Sequence, residues 1–433
     1  MNKNQHGFRN GRSCLSQLLD HYDKILKILE DGGNADCVYL DFSKCFDKID
    51  IGLLCQKLKK AGIGSKVGIW LHNFLVNRKQ FVVSEDAISS ESDVISGIPQ
   101  GTVLGPILFL IFISDIDHNI SSFASMFADD TRLVGNITSE EDAIQFQRDL
   151  NIIYEWAESN NMQFNNKKFE LLRYGGNEEL KKSTTYKSSD GSQIEVKSKL
   201  RDLGIIMNDE ANFNDHVEHI VSKVKQKTGW ILRTFMSRKP YVMKLLWKQL
   251  IQPHIDYCSQ LFPLSRNNLL QLENLQRNYL RKICGTRNSN YWERLKLAKM
   301  LSQERRLERY RIIYVWKIIE GLVPNCGIEA ISNERLGRFC KLPPLKKCPA
   351  KVSKLRENSF QIKGPQLFNT LPKELREKTK CNLEDFKALL DQHLSRIPDE
   401  PSIPGTDYTP SRINLFDAKP TNSLIGQSIT NGA

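Results

Sequence analysis

The sequence predicts an α+β region followed by a region that contains helices only. Up to about residue 207, short apolar runs typical of strands alternate with segments of helical periodicity. Beyond that point, apolar residues recur at helical spacing alone. With 433 residues, of which 40% are hydrophobic, the chain is long enough for two or three domains, each with its own core.

Each element of the first region follows from a local pattern. Short apolar runs bounded by turn residues predict strands over 37–41, 79–84, 169–174 and 201–207. Apolar residues at helical spacing predict helices over 13–31, 52–61, 66–76, 104–117 and 139–159. Two apolar runs on either side of Asp129-Asp130 predict a β-hairpin over 123–135, with the two carboxylates at its tip.

The second region is predicted from helical periodicity throughout. Its helices are expected over 214–235, 240–252, 266–284, 291–299 and 302–321. Residues 396–433 contain five of the sixteen prolines together with many Ser, Thr, Asn and Gly residues. This composition predicts a disordered tail.

Three acids are candidates for a metal site. Asp129 and Asp130 are adjacent, and two neighbouring carboxylates repel each other unless a cation lies between them. Asp41 ends the apolar run 37–40, where a buried acid without a partner would be costly. Each feature also has an ordinary explanation, because Asp-Asp is common in turns and Asp41 could cap the next helix.

A loop rich in glycine and proline lies between these acids in the sequence. Residues 96–106 contain three glycines and two prolines, which predicts a fixed turn that lets a backbone or a ligand approach closely. The apolar run 107–113 follows it and predicts a buried helix. Taken alone, the segment is also compatible with a simple turn before a core helix.

The order of these segments resembles the reverse transcriptase of non-LTR retrotransposons of the LINE-like, jockey/CR1 type. Residues 39–47 resemble motif A of that family, residues 96–106 motif B and residues 127–130 motif C. The further segments that resemble the family are 5–13 before motif A, 165–168 (motif D), 203–206 (motif E), 250–258, 272–277 and 367–372. The resemblance therefore extends to about residue 395.

The resemblance implies a fold and a division into domains. The expected fold is a right-hand polymerase palm, in which helices pack on an antiparallel sheet, with partial fingers and then an all-helical thumb and C-terminal region. The implied domains are partial fingers and palm (1–207), thumb (208–300), C-terminal helical region (301–395) and the disordered tail (396–433).

The resemblance also implies an activity. A member of this family is an RNA-directed DNA polymerase, a nucleotidyltransferase that extends a DNA primer on an RNA template with dNTPs. Asp41, Asp129 and Asp130 are the implied catalytic acids. Asp41, Phe42 and Asp129 would hold two Mg²⁺ ions, for which Mn²⁺ can substitute, in a two-metal mechanism.

Further site residues are carried over from the matching motifs. Phe46 occupies the position of the ring that excludes a ribose 2′-hydroxyl, and Gln100, Gly101 and Lys168 would contact the nucleotide. The implied primer grip is Leu203-Gly204, while Arg9 and Arg12 would touch nucleic acid. Ordinary readings remain open, because a Phe at this spacing is commonly a core residue and a Lys or Arg is commonly exposed.

The positive charge of the chain is concentrated in two stretches. The net charge is +12 and the pI about 9.1, but residues 219–255 and 335–356 each contain eight Lys or Arg and no acid. The first stretch predicts a helix with a basic side suited to a nucleic-acid backbone, with Lys223, Lys225, Lys227 and Arg233 as candidate contacts. A solvated helix face is the alternative. The second stretch reads as a loop that could bind RNA, act as an address signal or be merely solvated.

Cysteine spacing and the lengths of the apolar runs indicate the cellular environment to expect for the protein. The ten cysteines have no zinc-binding spacing, and no signal peptide is predicted, so reduced thiols in the nucleus or cytoplasm are expected. The longest apolar run, 103–113, is too short to cross a membrane, and no membrane partner is expected.

The start of the chain at the element before motif A leads us to expect an N-terminally truncated enzyme without upstream fingers strands or an endonuclease region. Three hypotheses remain from the sequence. The chain is a truncated reverse transcriptase, an inactive nucleic-acid-binding remnant of one, or a different palm polymerase or maturase-like RNA-binding protein.

Overall fold

The chain divides into two compact units in its computed structural model. The N-terminal unit comprises Met1–Gln17 and Lys27–Leu200, and the C-terminal unit comprises Leu18–Leu26 and Arg201–Ala433. The structure describes residues 2–85, 87–262, 265–283, 290–334 and 337–401.

Strands and helices alternate in the first part of the chain. The helices are α1 (Cys14–Glu30), α2 (Ile51–Lys60), α3 (Ser65–Leu75), α4 (Leu104–Phe112), α5 (Glu140–Ser159) and α6 (Glu178–Ser183). The strands are β1 (Asn34–Leu40), β2 (Arg78–Gln80), β3 (Val83–Ser84), β4 (Ala87–Ile88), β5 (Ser92–Val94), β6 (Phe123–Phe127), β7 (Asp130–Ile137), β8 (Glu170–Tyr174), β9 (Glu195–Lys197), β10 (Lys199–Asp202) and β11 (Ile205–Asn208).

One five-stranded sheet forms the centre of the N-terminal unit. Its strand order is β6-β7-β1-β8-β9, and every pair is antiparallel except β8 with β9, which is parallel. The expectation of an antiparallel sheet is therefore wrong for β9, whose three residues are too few to carry a strand pattern in the sequence. Strand β1 lies between two neighbours and is almost entirely buried, which explains its continuous apolar run.

Buried polar groups sit inside this apolar sheet. Asp36 of β1 pairs with Arg173 of β8 at 2.6 Å, and its carboxylate also accepts a hydrogen bond of 2.6 Å from the Tyr186 hydroxyl. All three side chains are buried, so each charge is compensated within the unit. This network joins two neighbouring strands of the sheet to the segment that follows α6.

Helix α4 is shorter than its apolar pattern predicts. It ends at Phe112 rather than near residue 117. The Ser114 hydroxyl donates to the Ile111 carbonyl at 2.8 Å, and the chain continues through a series of turns. Side chains that bond to the backbone in this way compete with helical hydrogen bonds, and they end the helix while the apolar residues continue.

The C-terminal unit is mainly helical. Its helices are α7 (Asn214–Thr234), α8 (Pro240–Leu246), α9 (Gln252–Asp256), α10 (Arg266–Ile283), α11 (Tyr291–Ala298), α12 (Gln303–Ile319), α13 (Ala350–Asn358), α14 (Phe360–Asn369), α15 (Lys373–Arg376) and α16 (Leu383–Leu394). A π-helical turn, Trp247–Ile251, joins α8 to α9. Pro253 explains this break in the predicted helix 240–252, because proline cannot donate the hydrogen bond that a regular helix needs there.

Close helix packing builds the core of this unit. Trp316 of α12 is fully buried and stacks on Phe386 of α16, with ring centroids 4.6 Å apart. Gly364 of α14 faces Val315 of α12, and a Cβ at this glycine would lie 2.9 Å from the valine side chain. The two helices can approach closely because the glycine has no side chain.

The expectation of an all-helical region after residue 207 is wrong. Strands β12 (Glu329–Asn333) and β13 (Gly337–Lys341) form an antiparallel hairpin within the segment predicted as helical. The basic stretch 335–356 is likewise not one loop, since β13 and most of α13 lie in it. These strands contain Glu, Ala, Asn, Gly and Lys, which are depleted in strands, so the sequence carries little strand signal. The predicted disordered tail lies outside the described residues from position 402 onwards.

Two simpler expectations concern cysteines and membrane spans. The nine cysteines within the described ranges form no disulfide. Among the helices that the structure describes, none combines the length and the apolar character needed to cross a bilayer.

A buried carboxyl group in the C-terminal unit makes stability depend on pH. Glu273 of α10 accepts hydrogen bonds from the Tyr291 hydroxyl and, at 2.9 Å, from the backbone N–H of Gln303. Burial raises the pKa of Glu273 to about 8; the Tyr291 hydrogen bond partly offsets the rise and the charge of Asp399 adds to it. The folded state therefore holds a proton that the unfolded state releases at lower pH.

We predict that Glu273→Gln flattens the pH dependence of unfolding. The folded pKa lies above the ordinary value of 4.5, so the contribution of this group is complete below that value and is lost as the pH rises towards about 8. The loss for the native protein is on the order of a few kcal/mol. Urea unfolding at a series of pH values measures it, and Glu210→Gln, which removes an exposed carboxylate, is the control. Equal pH slopes in the native protein and Glu273→Gln would contradict the prediction.

Candidate active site

The predicted acids meet at one end of the central sheet. Strand β1 pairs with β7 so that Leu40 lies opposite Thr131, and the next residues along the two strands are Asp41 and Asp130. The predicted hairpin is present, and its two-residue turn consists of Ala128 and Asp129. The register of β1 with β7 therefore brings the three carboxylates to the same edge.

A lysine compensates the charge of these acids. The Lys168 ammonium donates to Asp41 Oδ2 at 2.9 Å from a short 3₁₀ turn before β8. This hydrogen bond, followed by the charge of Asp41 and then those of Asp130 and Asp129, raises the pKa of Lys168. The lysine is also largely exposed, and its predicted contact with a nucleotide stays a prediction.

The Cys45 thiol is a second group beside the acids, and it was not among the residues predicted from the sequence. It is buried and donates a hydrogen bond to Asp129. Burial, then the charge and hydrogen bond of Asp129, and more weakly the charge of Asp41, raise the pKa of this thiol. The neutral thiol therefore contacts one acid and lies near a second.

The backbone after Asp41 is fixed by a single β-bridge. Phe42 bridges Phe164, and the flanking residues make the hydrogen bonds: Ser43 donates to Gln163 and Asn165 donates to Asp41, both at 2.8 Å. In this arrangement the carbonyl of the bridged residue points away from its partner. The Phe42 carbonyl is therefore not used in this pairing, and its ring stacks on Phe164.

The glycine-proline loop packs on the turn at the end of motif A. Gly97 has a φ of +80°, and a Cβ there would lie 2.7 Å from the Asp47 carbonyl oxygen, so only glycine fits. The exposed Gln100 donates to Asp47 Oδ1 at 2.8 Å. Gly101 has a φ of +76° and open space beside it. These two predicted nucleotide contacts thus lie on an accessible surface.

Phe46 packs on the core, and its predicted role in excluding a ribose 2′-hydroxyl stays a prediction. Its ring stacks on the buried Phe109 of α4, with centroids 4.5 Å apart, and meets the exposed Phe8 edge to face at 6.4 Å. The side chain is only partly buried. Phe46 is therefore supported by the core on one side and remains accessible.

The turn that carries Asp129 is held by Gln5, which the sequence did not single out. The Gln5 amide donates to the Ala128 carbonyl at 3.1 Å and accepts the Ala128 N–H at 2.8 Å. Its oxygen also accepts the Gly7 N–H at 2.7 Å. A Cβ at Gly7 would lie 2.3 Å from the Ala128 nitrogen, so glycine permits this close approach. The only hint in the sequence was that these residues precede motif A.

The predicted contacts Arg9 and Arg12 are engaged within the same N-terminal segment. Arg9 donates to the Asn2 carbonyl. Arg12 donates to the Lys3 carbonyl at 2.6 Å and to the Gln5 carbonyl at 3.1 Å. Both guanidinium groups thus stabilise the chain before α1.

The remaining predicted residues belong to the C-terminal unit. Leu203 and Gly204 form the turn between β10 and β11 with φ values of +43° and +85°, and the Leu203 carbonyl accepts a hydrogen bond of 2.8 Å from Tyr257. The candidate basic residues all lie on helix α7 but do not share one side of it. Lys223 and Lys227 are one turn apart, whereas Lys225 is about 200° from each neighbour around the axis. The exposed residue Arg233 completes this set.

The donor set determines which metal the predicted site could accept. Asp41, Asp129 and Asp130 offer carboxylate oxygens, the ligands that Mg²⁺ prefers. Within the described residues, no group of three or more His, Cys, Asp or Glu side chains is arranged as a ready metal site. Mg²⁺ typically binds one or two carboxylates together with substrate phosphates and water, and the Lys168 ammonium shows that this edge attracts a cation. The residues therefore fit Mg²⁺ that arrives with a nucleotide.

Comparison with known protein families identifies the N-terminal part of the chain. Residues 1–210 match the family model described as reverse transcriptase (RNA-dependent DNA polymerase). This part of the chain is a reverse transcriptase domain with a mixed helix and sheet polymerase fold.

Known relatives define the type of reverse transcriptase. The chain is 27% identical to a probable RNA-directed DNA polymerase from transposon X-element of Drosophila melanogaster, over 71% of this chain and 36% of that protein. It is 26% identical to the RNA-directed DNA polymerase from mobile element jockey of Drosophila funebris, over 65% of this chain and 32% of that protein. The domain is therefore LINE-like, as the motifs predicted, and the chain spans about one third of the length of these relatives.

Comparison with solved structures finds telomerases as distant matches. The telomerase of Candida tropicalis matches with a TM-score of 0.39 and 11% identity, over 74% of this chain and 51% of that chain. The telomerase of Candida albicans, in complex with a fragment of telomeric RNA, matches with a TM-score of 0.35 and 12% identity, over 69% and 52%. Both scores are below 0.5, so the superposition is distant.

We predict that Gln5→Leu loosens the turn at Ala128 and Asp129. The substitution leaves buried backbone groups of Ala128 and Gly7 without partners, which is expected to cost about 2–4 kcal/mol. Hydrogen exchange at the Ala128 amide and urea unfolding measure the effect.

Gln100→Leu is the matched control for this variant. Gln100 is also a glutamine amide at the site, but its bond is to the side chain of the exposed Asp47 rather than to buried backbone groups. Its loss is expected to change stability by less than about 1 kcal/mol. Unchanged exchange at Ala128 in Gln5→Leu would show that the amide does not hold the turn.

Proposed function

We propose that this chain is the polymerase core of a retrotransposon and extends a DNA primer on an RNA template with dNTPs. The observation that carries the proposal is the meeting of Asp41, Asp129 and Asp130 at the end of β1 and the β6–β7 turn, beside the cation of Lys168. Membership of residues 1–210 in the reverse transcriptase family supports the same reading.

The proposed domains follow the family. The five-stranded sheet with its helices would be the palm, with partial fingers, within residues 1–207. The helices of residues 208–300 would form the thumb, followed by a C-terminal region over 301–395. The mixed sheet of the first part and the helical content of the second support this division.

The proposed chemistry requires divalent cations. Asp41 and Asp129 would hold them, with the Phe42 carbonyl as an additional oxygen ligand and Asp130 in a supporting role. Bound there, two Mg²⁺ ions supply charge stabilisation for the attacking primer 3′-oxygen and for the leaving pyrophosphate. Mn²⁺, which accepts the same oxygen ligands, would substitute.

The protein side chains orient the substrates in this proposal. Gln100 and Gly101 would contact the incoming nucleotide, since both are exposed on the loop next to Asp47. Lys168 would carry a proton towards the pyrophosphate, and its raised pKa keeps it protonated at neutral pH. Phe46, supported from behind by Phe109, would lie under the sugar and exclude a 2′-hydroxyl. Leu203 and Gly204 would act as the primer grip.

A nonenzymatic remnant that binds nucleic acid is the second candidate function. The concentration of positive charge over residues 219–255, without an acid, favours binding whether or not catalysis occurs. This candidate predicts that the native protein binds template and primer but adds no nucleotide.

We predict that Asp129→Asn abolishes primer extension. Purified protein with oligo(dT) on poly(rA), dTTP and Mg²⁺ or Mn²⁺ should lengthen the primer. Removing one carboxylate is expected to lower the rate by at least about a hundredfold, as for other groups that stabilise transition-state charge. Asp93→Asn, which neutralises an exposed acid of β5, is the control and should extend normally.

Measuring how tightly each variant binds template and primer distinguishes the two candidate functions. If the native protein and Asp129→Asn bind template and primer equally and neither extends, the remnant is the correct function. If Asp129→Asn extends as fast as the native protein, the proposed site itself is wrong.

We predict that Phe46→Val reduces the preference for dNTPs. A smaller side chain leaves room for a ribose 2′-hydroxyl, so the ratio of dNTP to rNTP incorporation should fall by about tenfold, as for other steric pockets. Phe46→Tyr keeps the ring and should retain selectivity. Unchanged selectivity in Phe46→Val would show that Phe46 does not exclude the 2′-hydroxyl, and it would leave the proposed polymerase activity unaffected.

A further inference from the structure

A pair of helices in the C-terminal unit combines exposed aromatic rings with basic side chains. The pair consists of α7 from residue 219 onwards, the connection 235–239, α8 and the first residues of the π-helical turn, and we call it the basic helical pair (219–248). It contains eight Lys or Arg residues and no acid. Most solvated helix faces mix the two signs of charge, so this composition points to a polyanion.

The first helix presents one aromatic ring and two lysines on one strip. Lys223, Lys227 and Trp230 are spaced by four and three residues, so they lie one above another along the helix. Trp230 is 48% exposed, although residues on the neighbouring strip such as Val224 and Ile231 are buried. Phe235 contacts the indole edge to face at 5.9 Å. The tryptophan is therefore positioned but not buried.

The second helix repeats this pattern in reverse order. Tyr241, Lys244 and Lys248 are spaced by three and four residues, and Tyr241 is 69% exposed. Lys244 donates to the Lys299 carbonyl at 3.1 Å. Burial, then the charges of Lys248 and Lys299, lower the pKa of Lys244, so three cations lie close together here.

His254 of α9 lies beside the two lysines of the first strip. Burial and then the charges of Lys223 and Lys227 lower the pKa of His254 in α9. The two lysines of the first strip therefore lie close enough to His254 to affect it. Their own charges have no acidic neighbour within residues 219–255.

The order of side chains along the two helices is informative. Trp230 is the last member of its strip before the connection 235–239, and Tyr241 is the first member after it. The two rings therefore flank the connection in sequence, while the lysines follow each helix away from it. A chain of phosphates could contact the lysines, and bases next to those phosphates could stack on the rings.

We propose that the basic helical pair binds an unpaired polynucleotide, with phosphates on Lys223, Lys227, Lys244 and Lys248 and bases stacked on Trp230 and Tyr241. A duplex hides the faces of its bases in its own stack and would use only the lysines, whereas an unpaired strand uses the rings as well. RNA and DNA offer the same phosphates and base faces. This surface deepens the proposed function because it names the form of nucleic acid that the basic region holds.

Equilibrium binding without catalysis tests the proposal. The full chain is titrated, in EDTA and without dNTPs, against labelled oligo(U), oligo(dT) and a blunt duplex, each of about 20 nucleotides per strand, a length that exceeds the usual site of a single-strand binder. We expect Trp230→Ala to weaken binding to both single strands by at least about fivefold, the effect of losing one base stack. Trp230→Phe should retain most of the affinity, and duplex binding should change by less than about twofold.

Matched controls separate stacking and charge from general effects. Trp70→Ala removes a somewhat more exposed tryptophan from α3 in the N-terminal unit and should bind like the native protein. Lys227→Gln should lower the slope of log affinity against log salt by about 0.7 for a single strand, as expected for one lost phosphate contact. Lys387→Gln, which removes the same charge from α16, should leave the slope unchanged. Thermal unfolding of each variant checks that the fold is intact.

Several results would overturn the proposal. Equal losses of duplex and single-strand binding in Trp230→Ala would indicate a surface that follows a duplex. Equal losses in Trp230→Phe and Trp230→Ala would exclude stacking. Tight binding to vesicles that contain phosphatidylserine, with no binding to oligonucleotides, would identify a membrane surface instead. Asp129→Asn is expected to bind like the native protein, so failure of catalysis and failure of this surface are distinguishable.

Discussion

The antiparallel pairing of β1 with β7 is the constraint on which the candidate site depends. Because Leu40 lies opposite Thr131, the residues that follow at the strand ends are acids on both sides. A shift by one residue would turn every side chain of β1 to the other face of the sheet and separate Asp41 from the turn. The buried residues of β1 fix this register, so the apolar core determines where the charges lie.

Crowding three carboxylates at one edge has a cost that other groups must offset. Lys168 contributes a positive charge, and the Cys45 thiol donates a hydrogen bond to Asp129. These groups differ in what they allow: an exposed lysine can move away when a metal arrives, whereas the buried thiol stays in place. The site therefore combines a fixed neutral donor with a movable cation.

Much of the first region could be predicted from the sequence, and the exceptions have physical reasons. The hairpin around Asp129 was evident because both apolar runs and the polar turn are local signals. Strands β12 and β13 were missed because their residues have low strand propensity and are stabilised by pairing with each other. In the site, motif order identified the acids, but Gln5 and Cys45 depend on contacts between distant parts of the chain. No local pattern could reveal the contact between Gln5 and Ala128, which are 123 residues apart.

The contact of Gln5 also explains how the chain supports an unfavourable turn. Ala128 has a φ of +55°, a left-handed conformation that costs a residue with a side chain roughly 1 kcal/mol or more. Glycine would remove this cost, but it would also make the turn more flexible and Asp129 less well positioned. The glutamine amide instead binds both backbone groups of Ala128, and the absence of a side chain at Gly7 lets the two segments come close enough. Hydrogen bonds from the segment before α1 thus stabilise the left-handed conformation of Ala128, and the direction of the Asp129 carboxylate depends on that segment.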